Sequence, residues 1–216
     1  NHCQMTVSVF QDGKRFITGN RCDRPITGKS NDDTLNLYAY KQQQLNQLMK
    51  NPGTGTRGKI GIPMVLNMYE LLPFWHAFFT NLGFQVIVSP FSNRKLYQAG
   101  QGSIPSDTVC FPAKLTHGHI MALLKKDVDA IFYPCMSYNI DEGLGDNHYN
   151  CPVVAYYPEV LAGNIRELED TKFIYEYLNL EQRKDFVRLM PKIMQKYYPD
   201  LKTSDIHNAI EVAYTA

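Results

Sequence analysis

From Lys59 onward, short apolar runs alternate with longer amphipathic ones, and this alternation constrains the fold more than any other feature. Ile60-Gly61-Ile62-Pro63-Met64-Val65-Leu66 reads as a buried strand, weakened by Pro63. Residues 69–82 read as a helix with Pro73 in its first turn, ended by Gly83. Phe84-Gln85-Val86-Ile87-Val88 is a second strand, and 93–99 a short helix ended by Gly100. A helix over 114–126 leads to a third strand, Asp129-Ala130-Ile131-Phe132-Tyr133. Pro152-Val153-Val154-Ala155-Tyr156 reads as a fourth, followed by helices over 181–197 and from Ser204. Strands that alternate with helices imply right-handed crossovers. The expected fold is α/β, a mostly parallel Rossmann-like sheet flanked by helices.

An N-terminal β-hairpin is expected ahead of this unit. Val7, Val9, Phe16 and Ile17 flank Gln11-Asp12-Gly13-Lys14, and Asp-Gly is a strong turn signal. A helix with a polar face follows over 35–49, and Asn51-Pro52-Gly53-Thr54-Gly55 has the composition of a linker. Residues 1–52 are therefore read as an appendage and 53–216 as the main domain. The chain starts without Met and in a strand, and its last helix lacks a stop signal, so it reads as a piece of a larger multidomain protein.

The 216 residues are 44% hydrophobic, enough for a sizeable core, and the formal net charge of +1 gives no basic footprint for nucleic acid. The 14 Tyr and 11 Phe are read as core and interface residues. No apolar run reaches the ~18 residues of a membrane span. Asn1-His2-Cys3-Gln4 lacks the parts of a secretion signal. Five cysteines, an odd number, argue against a disulfide scaffold and for reduced thiols or metal ligands, hence a cytoplasmic setting.

In parallel sheets ligands bind at the carboxyl ends of strands, where strand order reverses. Cys135 directly follows the third strand. Cys110 stands just before Pro112 and the next helix, where free N–H groups favour a thiolate. Both are expected at one crevice, as part of an iron–sulfur site. Cys151 precedes the expected fourth strand and would lie at the opposite end, unless the 136–150 loop returns. Cys3 and Cys22 are read as structural. The bland alternative makes all five small buried residues without metal. No Cys-x-x-Cys pair supports a zinc ribbon, and zinc on Cys110, His117 and Cys135 matches no known spacing.

His117 and His119, two apart on a helix, point in different directions. His76 reads as a hydrogen-bonded histidine on an apolar helix. Asn67-Met68-Tyr69-Glu70 offers an amide, a phenol and a carboxylate at the expected ligand end, and Ser92 or Asn93 reads as an ordinary helix cap. There is no P-loop, no dinucleotide fingerprint and no nucleophile elbow, so catalytic and cofactor-binding residues stay unassigned.

Several unusual words occur in order. They are Gly61-Ile62-Pro63-Met64-Val65-Leu66-Asn67-Met68-Tyr69-Glu70, Ser92-Asn93-Arg94-Lys95-Leu96-Tyr97, Cys110-Phe111-Pro112-Ala113-Lys114, His117-Gly118-His119, Phe132-Tyr133-Pro134-Cys135 and Tyr149-Asn150-Cys151-Pro152. Together they resemble the uncharacterised domain of CoA-substrate-specific enzyme activases, over about residues 3–177. Gly19-Asn20-Arg21-Cys22 resembles that family's opening hairpin. The domain also looks like a distant relative of 2-hydroxyacyl-CoA dehydratase subunits. The resemblance implies a longer polypeptide with ATPase modules of the sugar-kinase and actin type ahead of this domain, and a later domain after it. It implies a [4Fe-4S]-type cluster in the full-length protein, with Cys110 and Cys135 best matching the ligand pattern. A CoA-thioester substrate or a dehydratase is the implied partner. The alternative is a non-catalytic docking or regulatory domain with structural cysteines.

Overall fold

The Asp12-Gly13 step closes an antiparallel hairpin of β1 (Thr6–Val9) and β2 (Arg15–Thr18), with Thr6 opposite Thr18 and Val9 opposite Arg15. Gly13 takes φ +79°, and the Asp12 carboxylate accepts the Lys14 N–H at 3.1 Å. These are the conformations the turn needs and few other residue pairs supply. A computed structural model describes residues 4–20, 24–28, 36–141, 143 and 145–216. Cys3, Cys22 and the expected helix start at Leu35 lie outside these. The chain divides into two units, residues 1–42 and 43–216. The first holds the hairpin, the short α1 (Arg24–Thr27) and the start of α2 (Leu37–Lys50), whose Ala39 N–H is capped by Asn36.

In the second unit, β3 (Lys59–Ile62), β4 (Gln85–Val88), β5 (Ala130–Phe132) and β6 (Lys172–Ile174) form one parallel sheet in the order β4-β3-β5-β6. Ile60 lies opposite Val86 on one side and Ala130 on the other, and Ile131 lies opposite Phe173. Ile60, Ile62, Ala130, Ile131 and Phe132 are fully buried, as strands covered on both faces must be. The first strand stops at Ile62, four residues short of the sequence reading. Pro63 has no N–H to continue the ladder.

The helices are α3 (Met68–Asn81), α4 (Arg94–Gly100), α5 (Phe111–Leu124), α6 (Pro152–Asn164), α7 (Arg183–Tyr197) and α8 (Thr203–Ala213). The chain steps from β3 to β4 in one direction and from β4 past β3 to β5 in the other. Right-handed crossovers then put α3 on one face and α5 and α6 on the opposite one. The packing agrees, because α8 lies against both α3 and α7 while α5 lies against α4 and α6. Met68, Leu72, Trp75 and Phe79 repeat at helical spacing on α3 and are fully buried. Trp75 sits 4.5 Å from Phe132 and 4.8 Å from Phe74, centroid to centroid. Pro73 is the sixth residue of α3 rather than part of its first turn.

Residues 152–156 are not a strand but the start of α6, and the fourth strand is β6. Pro152 occupies the first turn of that helix, where its fixed φ is favourable and its missing N–H costs nothing.

Gly118 explains how α4 can lie so close to α5. A Cβ at Gly118 would come 2.1 Å from the Leu96 carbonyl oxygen, and one at Gly100 would come 2.2 Å from the Gly118 nitrogen. Gly118→Ala is expected to destabilise the fold by about 1–3 kcal/mol through overpacking, although alanine is the better helix former. Urea unfolding reads this directly, and an unchanged or raised midpoint counts against the contact.

Candidate functional site

Cys110 is the N-cap residue of α5, with φ −61° and ψ 150°, and Pro112 follows in the first turn. Cys151 is the N-cap residue of α6, with φ −55° and ψ 143°, and Pro152 follows it. The two helices start in the same way and both thiols are exposed. Both helices also run from the carboxyl end of the sheet, since each leads into a parallel strand.

Cys151 reaches this end because the loop after β5 doubles back. Tyr138 and Tyr149 form an antiparallel bridge. The Asn139 N–H donates to the His148 carbonyl at 2.8 Å, and the Asn150 N–H to the Ser137 carbonyl at 2.8 Å. The Asn150 side chain donates to the Met136 carbonyl at 2.9 Å. Of the two placements open from sequence, Cys151 therefore takes the one in which the loop returns to the end that carries Cys135.

Cys135 follows β5 as expected but is closed to solvent. Its N–H donates to the Glu176 carbonyl at 3.1 Å and its carbonyl accepts from Leu178 at 2.9 Å, so it extends the β5–β6 pairing by one bridge. Burial, reinforced by the Glu159 charge, pushes its thiol up to about 12. Tyr133, also wholly buried, has a hydroxyl without a protein partner. Its ionisation is opposed by burial first and then by Cys135 and Tyr157. Among the described residues, no three His, Cys, Asp or Glu side chains converge closely enough to hold a metal ion.

The histidines are structural and point apart, as their spacing requires. His119 lies between Ser89 Oγ (2.6 Å from Nδ1) and Ser92 Oγ (2.9 Å from Nε2), and Ser89 also accepts the Met64 N–H at 2.8 Å. His117 Nδ1 is 2.8 Å from Ser103 Oγ, whose own proton goes to the Gly100 carbonyl. Nδ1 must therefore donate to Ser103, which leaves Nε2 to accept from the Tyr157 hydroxyl at 3.1 Å. Burial pulls both imidazoles down to about 4. His76 Nε2 meets the Asn51 carbonyl at 2.7 Å. Asn93, not Ser92, caps α4, its side chain accepting the Leu96 N–H at 3.0 Å.

Tyr157 has no role assigned from sequence, yet it joins α5 to α6. Its phenol ionises less readily because of burial first and then the nearby Cys110. Cys110 and the helix that Cys151 caps are thus neighbours at the carboxyl end of the sheet.

The same end carries a cleft of about 730 Å³. Asn67, Asn139, Asn150, Phe74, Val154 and Tyr214 are among the residues that line it. Asn67 follows β3 and Asn139 follows β5. These are the adjacent strands from which the chain winds outward in opposite directions. The cleft therefore opens at the switch point, where doubly wound sheets bind ligands.

Strand order 2-1-3-4, counted along the sheet unit, and a cleft at its switch point define a doubly wound α/β protein of the flavodoxin-like order. The family model described as the CoA enzyme activase uncharacterised domain matches residues 59–216, and the chain belongs to that family. No curated protein and no solved structure matches the chain. No helix among the described residues is long and apolar enough to cross a membrane.

Proposed function

We propose that this domain is the electron-transfer module of an ATP-coupled activase or reductase of the 2-hydroxyacyl-CoA dehydratase system. In this reading Cys110, Cys135 and Cys151 supply part of the ligand set of an iron–sulfur cluster in the intact cytoplasmic protein. One observation carries the reading: the loop over 136–150 returns, so all three cysteines lie at the carboxyl end of one parallel sheet.

The donors suit such a cluster in kind, but among the described residues no three of them converge closely enough to hold a metal ion. Cys110 and Cys151 present exposed thiols at the starts of two packed helices. Cys135 is a buried, protonated thiol, which coordination would deprotonate. The remaining ligands come from a later domain of the polypeptide. A bound cluster would supply one-electron chemistry at a potential tuned by charge and exposure. The domain's own part is to present the thiols and to keep Tyr133, Tyr157 and His117 neutral around them. The ATPase modules drive the electron towards a CoA thioester or a dehydratase partner, and the domain alone is inactive.

Iron and acid-labile sulfide, measured on the anaerobically purified full-length protein, test this. Iron is expected in the full-length protein, with at least half of it lost in Cys110→Ser and again in Cys151→Ser. Unchanged iron in both variants sinks the proposal. A docking or regulatory domain with structural cysteines is the second reading, favoured by the complete burial of Cys135. Absence of iron from the full-length protein would select it.

A further inference from the structure

Between the Cys135–Tyr177 bridge that prolongs the sheet and the first turns of α7 lies a second, smaller cavity. It measures about 210 Å³, below the roughly 300–1,000 Å³ of sites for drug-sized ligands, and so suits a head group or a single side chain. Its walls are largely apolar: Cys135, Leu178 and Phe186 are buried, while Tyr177 and Leu189 are exposed. Tyr138 lines it too.

Both tyrosines are pinned. Tyr177 donates its hydroxyl proton to the Glu159 carboxylate at 2.6 Å, and its ring lies 6.1 Å from that of Tyr156. Tyr138 donates to the Tyr149 hydroxyl, with the two rings 4.2 Å apart. What each offers a guest is therefore its ring rather than a hydroxyl proton. A phenol that donates to a carboxylate carries extra negative charge, which strengthens the pull of its ring on a cation.

The fixed charge points the same way. Asp185 lines the cavity, and among the described residues no Lys, Arg or His does. Arg188 meets Asp185 at 2.9 Å, but the two side chains are 76% and 58% exposed, and such pairs are weak. An anion would find no cation in this wall. A bare ammonium would lose its water shell against apolar groups without replacement. An alkylated ammonium is weakly hydrated, and aromatic rings beside a carboxylate are the surroundings that hold one.

We propose that this cavity binds the head group of an alkylated ammonium compound, held against the rings of Tyr138 and Tyr177, with Asp185 and Glu159 supplying the counter-charge. This goes beyond the electron-transfer reading and does not rest on it, because its test reads binding to the iron-free chain.

The test is a ligand-observed NMR titration of the full chain with choline, beside its neutral carbon isostere, neohexyl alcohol. Choline is expected to saturate, with the isostere at least tenfold weaker. Tyr177→Leu and Asp185→Asn, both at exposed positions, are each expected to weaken choline at least threefold while keeping a cooperative thermal transition. Tyr177→Phe, which keeps the ring, is expected to lose less than Tyr177→Leu. Absence of saturable choline binding overturns the proposal. So does equal binding of choline and its isostere by the unmodified chain, a comparison that needs no variant to fold. Choline binding unchanged in both Tyr177→Leu and Asp185→Asn overturns it too.

Discussion

Between pH 6.5 and pH 4 the protein is expected to lose on the order of 3 kcal/mol of stability for each of His117 and His119. Both rings are fully buried, and burial holds each at about 4 against 6.5 for an ordinary histidine. The unfolded chain therefore takes up these protons near pH 6.5, while the folded chain refuses them until about pH 4. Stability is complete above pH 6.5, falls as the pH drops through this window, and stops falling from this cause below about pH 4. Urea unfolding at pH 7, 5.5 and 4.5 measures the slope, which should approach the uptake of about two protons per molecule unfolded. Imidazole carbon-bound proton resonances give the site-specific check. If both rings titrate near pH 6.5 in the folded state, the account is wrong.

Trp75→Ala is expected to destabilise the domain by about 3–5 kcal/mol. In a protein of this size that lowers the thermal midpoint by about 6–20 °C. Trp75 packs against Phe74, Phe78, Phe79, Phe132 and Phe186, so its loss opens a cavity where α3, β5 and α7 meet. Rigid aromatic neighbours on so many sides can close that cavity only in part. Trp75→Phe separates packing from polarity. The indole N–H is buried without a partner, so phenylalanine gives up contact area but also removes an unsatisfied donor. It is expected to cost well under half of the alanine value. Equal losses in the two variants would mean that the aromatic contacts are not what Trp75 contributes.

Much of the architecture was legible because β3, β4 and β5 are continuous apolar runs between helices, and the hairpin because Asp12-Gly13 admits few alternatives. The error at 152–156 has a specific cause. Val153-Val154-Ala155-Tyr156 has strand-like side chains, and that preference outweighed Pro152, whose place at a helix start parallels that of Pro112. Strand β6 escaped notice because it is three residues long and only Phe173 and Ile174 are buried.

The site was legible in its parts but not in its assembly. Cys110 before Pro112 and Cys135 after β5 stand in the expected chain positions. The approach of Cys151 depends on backbone pairing within 137–150, which side-chain periodicity does not encode. Asn67 stood out by its place after a strand. Its unpaired amide follows from the left-handed Leu66 and a helical cap conformation, and neither has a residue signature. Gly118 carries no signal of its own in the sequence. Its role depends on the backbone of another helix.

The returning loop over 136–150 has a consequence for how such a domain can diverge. Its two arms are tied to each other at the base, at Ser137–Asn150 and Tyr138–Tyr149. Residues between the arms can be inserted, deleted or exchanged while the clasp at the base still delivers Cys151 to the start of α6. The tip is therefore a natural place to graft new recognition, with the strands and both helix starts held fixed beneath it.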